Sequence, residues 1–583
     1  MGTGFAVLSR PDAVPHPMNV DPKVALTGHS ALPGGLAWIA DGARTQRLAW
    51  AAGLALLAAY CLMFVLLSPL PVQDFPDHLA RAVAMNDLLF HDGARFGGIF
   101  HFHLEWIPYL LGDLILTGAV ALLGPTGGAA FWVVLVFLSL PAATLFYLRV
   151  RAIEPRGRTL MLLVSLYLAT DWFFLMGFLS FRLAVAMLIV TLGLVELLRR
   201  RWSYALLGLY AGMVILDYLM HLSPVIFLVA ALGSTGLLRL HWRTTRLRTE
   251  LALFVPVLAV LAWHFTVGVS YREPGDPVVG PYFWGTWYSK FARIGSEFFH
   301  FAPYIDILLV LMLAACLLVR TGIARGRDLR QPLVLELLAL SALFLAMYFV
   351  LPLGYADAFY VDTRPLPLAS FFFIAACLAL PSPRPERSGG NPEKRQRRDA
   401  GRPERSGGNP EKRQWRDAGR PETQPRRATV AALLATGLAL GNLAYLARHF
   451  IAERAWLAQY RAVVAAIPEH GRVLPVYTHG REGSVVPFLH VSGFVSMDRA
   501  AVEPYVFAGD NGNPMKYFRY NHRPYDPPEV WYGDIPRDPV SWRTVARDYD
   551  FLMVTKPFDP AVFQLATRKV AENSTATLLA IQK

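Results

Sequence analysis

The feature that most constrains this chain is a series of long apolar segments with almost no charge. Residues 48–67 form an uncharged run long enough to cross the ~30 Å hydrocarbon core of a bilayer as a helix. Hydrophobic residues are 54% of the 583 residues and charged residues only 17%, which excludes a soluble enzyme built around one core. The sequence therefore predicts a polytopic all-α membrane domain. The further apolar runs lie near 106–124, 128–149, 159–179, 182–198, 203–219, 222–237, 251–269, 304–319, 333–353, 365–381 and 428–447.

Basic clusters alternate with these runs and predict which loops face the cytoplasm. They lie at Arg149 to Arg158, Arg199 to Arg201, Arg239 to Arg248 and Arg320 to Arg330. By the positive-inside rule these clusters are cytoplasmic, which places loops 71–105, 270–303 and 354–364 and everything after ~448 on the other side. Residues 1–47 are rich in Pro and Gly, lack the apolar core of a signal peptide and read as a disordered cytoplasmic tail.

The two ends of the chain thus lie on opposite sides, and this requires an odd number of spans. We expect eleven or thirteen, which makes about 11–13 transmembrane helices. Two full spans between loop 71–105 and Arg149 would return the chain to the wrong side. One of those runs therefore lies flat or is re-entrant, or a run elsewhere divides in two.

A basic tandem repeat lies between the last two apolar runs. Residues 384–401 read RPERSGGNPEKRQRRDAG, and residues 402–419 repeat them with Trp415 in place of Arg397. Residues 384–427 contain fourteen basic and seven acidic residues, so this insert supplies +7 of the formal net charge of +13. Its composition cannot bury enough apolar area to fold, so we expect 382–427 to be a disordered cytoplasmic linker with no nucleic-acid partner.

The composition changes again after the apolar run 428–447, which we take as the last transmembrane helix. Short apolar strand candidates at 472–477, 549–555 and 576–581 are separated by polar, Pro- and Gly-rich segments. They predict a small extracytoplasmic α/β domain over 448–583. The transmembrane domain is then 48–381. Its loop 270–303 carries Trp287, Phe291, Ile294 and Phe298 on one helical face, which is typical of a helix in the headgroup layer.

The sequence Asp74-Phe-Pro-Asp-His78 follows the first span and is the best candidate for chemistry. A carboxylate at a low-dielectric surface can have its pKa raised toward neutrality, which suits a general base. We favour Asp74 as that base, with Asp77 second. The alternative is that either residue merely caps a helix over 78–90. His78 and Arg81 are three residues apart and share a face of this helix.

Three further polar residues are candidates for substrate binding. Asp113 lies in an apolar run and needs a partner or a polar cavity, so it is either functional or structural. His221 sits at the turn between two spans, where it lines the site or bonds a helix end. Arg364 stands at a membrane boundary and suits bidentate phosphate binding, unless it pairs with Asp362 or Asp357. Arg272, Lys290 and Arg293 are the alternative phosphate partners.

No metal site is recognisable from spacing. His101, His103 and Glu105 alternate along one segment, but no fourth ligand follows at a zinc-like spacing, so we interpret them as interfacial polar residues. The three cysteines all lie in apolar runs, which predicts buried thiols and no disulfide.

These features together resemble the GT-C superfamily of membrane glycosyltransferases, which use polyprenyl-phosphate-linked sugars. The resemblance covers 48–583 without the insert, and it lacks both the adjacent acidic pair of some members and a WWDYG-type oligosaccharyltransferase signature. That argues against protein N-glycosylation. It is carried by the span pattern, the outer α/β domain and four local features: Asp74-Phe-Pro-Asp-His78, Gly177-Phe-Leu-Ser-Phe181, His221-Leu-Ser-Pro224 and Arg364.

The resemblance implies an inverting transfer of a sugar from a polyprenyl-phosphate donor to a glycan, lipid or protein acceptor. A base, Asp74 or Asp77, would deprotonate the acceptor hydroxyl, and Arg364 or another cation would hold the leaving phosphate. It also implies a bacterial cytoplasmic-membrane protein surrounded by membrane lipid. Some members use a divalent cation, and nothing in this sequence demands one.

Two other functions are compatible with the same composition. A transporter or flippase for a lipid-linked glycan would place charges near mid-membrane and show inverted repeats, whereas the best polar cluster here lies at one surface. A non-catalytic assembly component would retain its activity after Asp74→Asn. The surface cluster favours the enzyme.

Overall fold

The computed structural model describes residues 42–104, 106–267, 284–295, 298–322, 329–355, 358–380, 423–477, 489–504, 515–517, 539–558 and 563–583. In these ranges nine helices are long and apolar enough to cross a membrane, and two shorter apolar helices, Tyr204–Met220 and Leu366–Ala379, accompany them. Large apolar side chains on their outer faces are exposed, such as Leu237 at 71% and Val255 at 64%, as expected of a surface in contact with lipid. The predicted multi-pass membrane protein is confirmed.

The helices and strands follow one another along the described ranges in this order. The helices are α1 Gly42–Leu67, α2 Phe75–Phe90, α3 Leu110–Val150, α4 Pro155–Leu168, α5 Trp172–Leu175, α6 Leu179–Arg200, α7 Tyr204–Met220, α8 Leu222–His241, α9 Leu247–Thr266, α10 Trp287–Arg293, α11 Pro303–Thr321, α12 Pro332–Val350, α13 Leu366–Ala379, α14 Thr423–Val464, α15 Gly493–Arg499 and α16 Pro539–Asp548. The strands are β1 Phe100–Phe102, β2 Gly354–Tyr355, β3 Ala358–Phe359, β4 Val473–Val476, β5 Met515–Tyr517, β6 Phe551–Thr555, β7 Thr567–Glu572 and β8 Ala576–Ile581.

Helix α3 consists of two helices that meet at a sharp bend of the chain. Gly124 has φ 72° and ψ 172°, and Pro125 follows it. A Cβ on Gly128 would lie 2.8 Å from the backbone nitrogen of Val120, which is eight positions away and far out of reach in a straight helix. Residues 110–123 and 125–150 are therefore two separate helices joined by a sharp bend at Gly124.

The first of these two helices lies along one end of the bundle. A Cβ on Gly112 would lie 2.6 Å from Ser180 Oγ, which is in the first turn of α6. At the other end of this helix, the Thr126 carbonyl lies 3.5 Å from Ser68 Oγ, just beyond α1. Both ends of 110–123 thus meet the same end of the spanning helices. In the described residues, one of the two runs that conflicted with the predicted sidedness therefore lies along the end of the bundle, and the nine long and two short apolar helices supply eleven candidate membrane crossings.

The basic clusters gather at the opposite end. Arg151 binds Glu196 at 3.0 Å and Glu336 at 2.8 Å, and Arg239 binds the same two carboxylates at 2.6 and 2.9 Å. Nearby, Arg199 pairs with Glu250 and Arg320 with Glu154. We call this the Arg151 end and the other the Asp74 end.

The C-terminal α/β domain is built on a four-stranded sheet of order β4-β6-β8-β7. Strands β4 and β6 are parallel, and the other two pairs are antiparallel. All three predicted strands are present; the exposed strand β7 was not predicted. Helix α14 continues to Val464, beyond the predicted span 428–447, and packs on β8, so the last spanning helix and this domain are continuous.

Two contacts fix the C-terminal domain to the loop after α1. Strand β1 of that loop pairs with β5, so that His101 lies opposite Lys516. A Cβ on Gly493, at the start of α15, would lie 2.4 Å from the Pro76 carbonyl oxygen of α2. Only glycine permits this approach. It brings the C-terminal domain against residues 74–78, which we call the Asp74 motif. The predicted insert 382–427 and the tail 1–47 lie almost entirely outside the described residues.

Candidate active site

The Asp74 motif forms the start of α2, three residues earlier than the predicted helix. Asp74 occupies the N-cap position, but its side chain makes no capping hydrogen bond. Its backbone is anchored instead, since Gln73 N and Asp74 N donate to the carbonyls of Leu175 and Met176 at 3.0 and 3.1 Å. The carboxylate is 8% exposed. The capping alternative therefore does not describe Asp74.

Gly177 allows this anchoring because it follows α5 with a φ of +81°. A Cβ there would lie 2.6 Å from Asp74 N and 3.1 Å from its Cα. Any side chain would push the motif away from α5. The Gly177-Phe-Leu-Ser-Phe181 turn thus packs against the backbone of Asp74, the candidate base, and positions it.

The partner of both aspartates is a histidine that the sequence did not single out. His490, just before α15, has Nδ1 2.7 Å from Asp77 Oδ2 and Nε2 3.5 Å from Asp74 Oδ1. Asp77 is fully buried and His490 is 4% exposed. The only sequence signal was a lone histidine in the apolar stretch Phe488-Leu-His-Val, which is too weak to select it.

Burial determines the acid–base properties of this cluster. It raises the pKa of Asp74 to about 6, while the His490 charge opposes this shift and the Asp77 charge adds to it. Burial also lowers the pKa of His78 well below its usual value, helped by Arg81 and His490. The cluster therefore combines a near-neutral carboxyl group with a histidine, His78, that stays uncharged.

Arg81 and Asp113 form a buried ion pair one turn further along α2. Arg81 Nη2 lies 2.5 Å from Asp113 Oδ1 and 2.9 Å from His78 Nδ1. The predicted shared face of His78 and Arg81 is confirmed by this contact. Asp113 has the partner it needs and lies in the first turn of 110–123, at the Asp74 end of the bundle. Because an arginine only donates, His78 Nδ1 accepts here.

His221 and Arg364 form a second group next to this pair. Arg364 Nη1 lies 3.3 Å from His221 Nε2 and donates to Ser223 Oγ at 3.2 Å, and its guanidinium sits 5.8 Å from the centre of the Phe181 ring. Ser223 N donates to His221 Nδ1, so the proton of a neutral imidazole is on Nε2, where Tyr109 Oη lies at 3.0 Å.

The two groups are joined through short stretches of chain. Tyr109 precedes Asp113 by one helical turn, and Asp113 N donates to its carbonyl. Phe181, below Arg364, follows Gly177, which touches Asp74, by one turn of helix. Asp74, His221 and Arg364 thus lie at the same end of the bundle, and short stretches of chain connect Asp74 to the other two.

The alternative phosphate partners have other roles. Asp362 binds Arg293 at 3.1 Å and Lys290 at 3.7 Å, and Lys290 also donates to the last carbonyls of α12. These contacts pair Asp362 with Arg293 and Lys290, whereas the sequence had offered Arg364 as its partner. Asp357 and Arg272 lie outside the described residues.

The aromatic residues of loop 270–303 behave as the pattern predicts in the part that is described. Trp287, Phe291 and Ile294 of α10 are 67%, 62% and 37% exposed, while Lys290 is buried. An apolar face open to the surroundings suits the headgroup layer. Residues 268–283 lie outside the described ranges.

A metal site has no ligand set in the described part of the chain. No group of three or more His, Cys, Asp or Glu side chains is arranged there as metal ligands. Glu105, the third member of the alternating His101 and His103 group, is outside the described residues.

No family model matches the sequence, and no curated protein matches it closely enough to report. Several solved structures are similar to this chain. ArnT from Cupriavidus metallidurans in the apo state is similar over 90% of this chain and 97% of that chain, with a TM-score of 0.50 and 11% identity. The same protein bound to undecaprenyl phosphate gives 0.48 at 11% identity over the same shares. The apo oligosaccharyltransferase of Archaeoglobus fulgidus gives 0.36 at 12% identity, over 76% of this chain and 63% of that one.

At 11% identity the first of these likenesses speaks to the fold alone, and it spans almost the whole of both chains. It includes the helical membrane domain and the small C-terminal sheet domain that the sequence predicts. The chain therefore shares the overall fold of ArnT from Cupriavidus metallidurans.

Proposed function

We propose that this protein is an integral-membrane glycosyltransferase that transfers a sugar, with inversion, from a polyprenyl phosphate to an acceptor hydroxyl. One observation carries the proposal: Asp74 stands at a helix start without capping it, is nearly buried, and lies at the same end of the bundle as Arg364. The GT-C fold supports the donor class, and one structural neighbour was solved with undecaprenyl phosphate bound.

Asp74 is the proposed general base. A carboxyl group with a pKa near 6 is mostly ionised at pH 7 and is a stronger base than an ordinary aspartate. It would accept the proton of the acceptor hydroxyl while that oxygen attacks the anomeric carbon. Asp77 is second to it because its carboxylate is fully buried and held by His490.

Arg364 is the proposed phosphate ligand. Its planar guanidinium offers several N–H donors, and Ser223 and Phe181 hold it at a membrane boundary. A polyprenyl phosphate leaves as a stable anion, so the reaction needs positive charge there and no carboxylic acid, in contrast to glycosidases. His78, Arg81, Asp113 and His221 would line the space between base and phosphate.

The Asp74 end is proposed to face away from the cytoplasm. The basic residues Arg151, Arg199, Arg239 and Arg320 collect at the other end, as the positive-inside rule expects of the cytoplasmic side. The acceptor would then be a glycan, lipid or protein outside the cytoplasm, and the membrane a bacterial inner membrane.

The test uses the full chain in proteoliposomes with synthetic undecaprenyl phosphates that carry hexoses or pentoses, and an envelope extract as acceptor source. We expect one donor to release undecaprenyl phosphate and label the extract. Asp74→Asn should lower this rate about 10³-fold, the usual range for a lost general base. The matched control is Asp92→Asn, an exposed aspartate beyond the end of α2, which should retain the rate.

Binding separates the proposed roles. Arg364→Gln should weaken binding of undecaprenyl phosphate at least tenfold, while Asp74→Asn should leave it unchanged; Arg95→Gln, an exposed arginine at the same end, is the control. A protein that moves the labelled lipid across the bilayer without product would be the transporter. Full turnover by Asp74→Asn would refute the enzyme assignment and favour the assembly component.

A further inference from the structure

The two aspartates of the motif are connected by a side chain from the other domain. His490 reaches Asp77 at 2.7 Å through Nδ1 and faces Asp74 at 3.5 Å through Nε2. A neutral imidazole with its proton on Nδ1 places that proton beside the Asp77 carboxylate and turns a lone pair toward Asp74. Two facing acceptors repel each other, so Asp74 and His490 Nε2 are favourable together only when a proton is on one of them.

The backbone around His490 is fixed, so this contact is a property of the fold. Gly493 N donates to the His490 carbonyl at 3.1 Å, and Ser492 N donates to Tyr477 Oη at 3.0 Å. The short Gly493–Pro76 approach then sets the turn against α2. The C-terminal domain therefore delivers the imidazole to the two carboxylates.

We propose that His490 is a positioning residue that shares one proton with Asp74, with Asp77 holding its Nδ1–H. This rests on the proposed function. The acceptor O–H bond breaks and its proton goes to Asp74. The acceptor oxygen bonds to the anomeric carbon, and the bond from that carbon to the phosphate oxygen breaks with its electron pair on the phosphate. Asp74 then passes the proton to His490 Nε2, and Asp77 stabilises the imidazolium.

Among the titratable groups around the two carboxylates, the imidazole is the one best suited to take the proton from Asp74. Arg81, on the same helix, forms its ion pair with Asp113. Burial raises the pKa of Tyr477 well above its usual value, as do the nearby Tyr460 and Asp77, so its phenol stays protonated. The charged and titratable groups around the pair are His78 and Arg81 on α2, Asp113 on α3, Asp171 at the start of α5, Tyr460 on α14, and Tyr477, His490 and Glu503 in the C-terminal domain.

Two near-isosteric substitutions distinguish proton sharing from packing, because they move the pKa of Asp74 in opposite directions. The His490 charge lowers that pKa and the Asp77 charge raises it. In His490→Asn, which retains a donor near Nδ1, the acidic limb of the pH–rate profile should move up by about one pH unit. In Asp77→Asn it should move down.

Turnover is measured from pH 4.5 to 8.5 in the full chain in proteoliposomes, with the undecaprenyl-phosphate sugar that gives most product. Both variants should lose about 10²-fold in kcat, with the donor KM within about twofold. His490→Gln, which places an amide near Nε2, should retain no more activity than His490→Asn. Undecaprenyl phosphate binding, measured separately, should be unchanged in all three.

The outcomes are distinguishable. A His490→Asn protein with wild-type kcat and an unmoved acidic limb overturns the inference, while loss of turnover in Asp74→Asn leaves the proposed function standing. Lower kcat with no movement of the limb in either variant means packing only and also overturns it. If His490→Asn does not fold, a downward limb in Asp77→Asn supports proton sharing, and an unmoved limb contradicts it.

Discussion

The two ends of the membrane bundle both bury charged side chains, but they balance them differently. At the Arg151 end, Glu196 and Glu336 both contact Arg151 and Arg239 within 3.0 Å, and Glu196 also contacts Arg200 at 2.8 Å. At the Asp74 end, Asp74 and Asp77 share one histidine, and the Asp74 contact is 3.5 Å. Arginine stays charged at every accessible pH, whereas an imidazole gains and loses its charge near neutrality.

This difference separates a structural cluster from a chemical one. At the Arg151 end, permanent cations pair with the two glutamates and lock α6, α8 and α12 to the loop after α3, which is a structural role. A carboxyl group with a pKa near 6 beside a histidine can exchange a proton near neutral pH. The comparison predicts that changes at one end act on stability and at the other on turnover.

The largest expected effect on stability lies at the Arg151 end. Glu336→Gln leaves Arg151 and Arg239 buried with only Glu196 as a counterion, and breaking such a pair costs about 3–5 kcal/mol. Thermal unfolding in detergent should show a large loss, while the rate per folded molecule stays near wild type. The control is Glu469→Gln, an exposed residue, which should change stability by less than about 0.5 kcal/mol.

The same experiment on the Asp74 end sharpens the contrast. Asp74→Asn should lose turnover without losing stability. A fall in stability as large as that of Glu336→Gln would mean that Asp74 is a structural anion and would remove the distinction between the two ends.

The next effect is a pH dependence with opposite signs in activity and stability. The ionised Asp74 is the base, so the rate should fall about tenfold for each pH unit below about 6. A carboxyl pKa raised in the folded state contributes stability at pH below the unfolded value, which is lost as the pH rises through the folded pKa. Its contribution to stability should therefore grow from pH 7 to 5 while turnover declines.

The measurement is a pH–rate profile beside chemical unfolding of wild type and Asp74→Asn over the same range. The difference in stability between the two proteins should change between pH 7 and 5 in the direction just given. A rate that is flat down to pH 4.5 would show that the group that titrates in catalysis is not Asp74.

These contrasts also show what the sequence could reveal. The apolar runs predicted the helices, and the change of composition after them predicted the C-terminal α/β domain, because each is a local property of about 20 residues. The sidedness indicated by the basic clusters stays a prediction. Local pattern could not show that 110–123 lies along the bundle end, since its apolar residues resemble those of a span. The bend at Gly124-Pro125, together with the contacts of Gly112 with Ser180 and of Thr126 with Ser68, decides it.

The site divides in the same way. Asp74, Asp77, His78 and Arg81 are close in sequence, so a single motif identified them. His490 comes from a domain that begins after a further ten spanning helices, and only the tertiary contact at Gly493 reveals it. Similarly, Lys290 and Arg293 were alternatives to Arg364 as the phosphate ligand, and only the fold shows that both contact Asp362.

A smaller effect tests whether the two domains act as one at the Asp74 end. Gly493→Ala places a methyl group 2.4 Å from the Pro76 carbonyl oxygen, which must shift α15 away from α2. Such overpacking costs about 1–3 kcal/mol, and it moves His490 from the aspartates, so turnover should fall about tenfold. Gly98→Ala, between α2 and β1 and with nothing within 4 Å of its Cβ, is the matched control.

A double variant, Gly493→Ala with His490→Asn, tests this route. The two changes remove the same contact, so the second should add little to the effect of the first. Their effects on kcat should combine to less than the product of the single effects. Fully multiplicative losses would mean that Gly493 affects the site by a route other than His490.

The smallest effect is expected from removing the tandem repeat, residues 384–419. The repeat follows α13 in the sequence. The carbonyls of Leu378 and Leu380, at the end of α13, contact Arg320 Nη2, so the chain before the repeat ends at the Arg151 end. The hydrocarbon core of about 30 Å separates that end from Asp74. Deletion should keep turnover within about twofold, because a polar segment cannot cross this distance to reach the site. A larger loss, with expression and thermal stability unchanged, would show that the two ends are coupled, and the division into a structural and a chemical end would then be wrong.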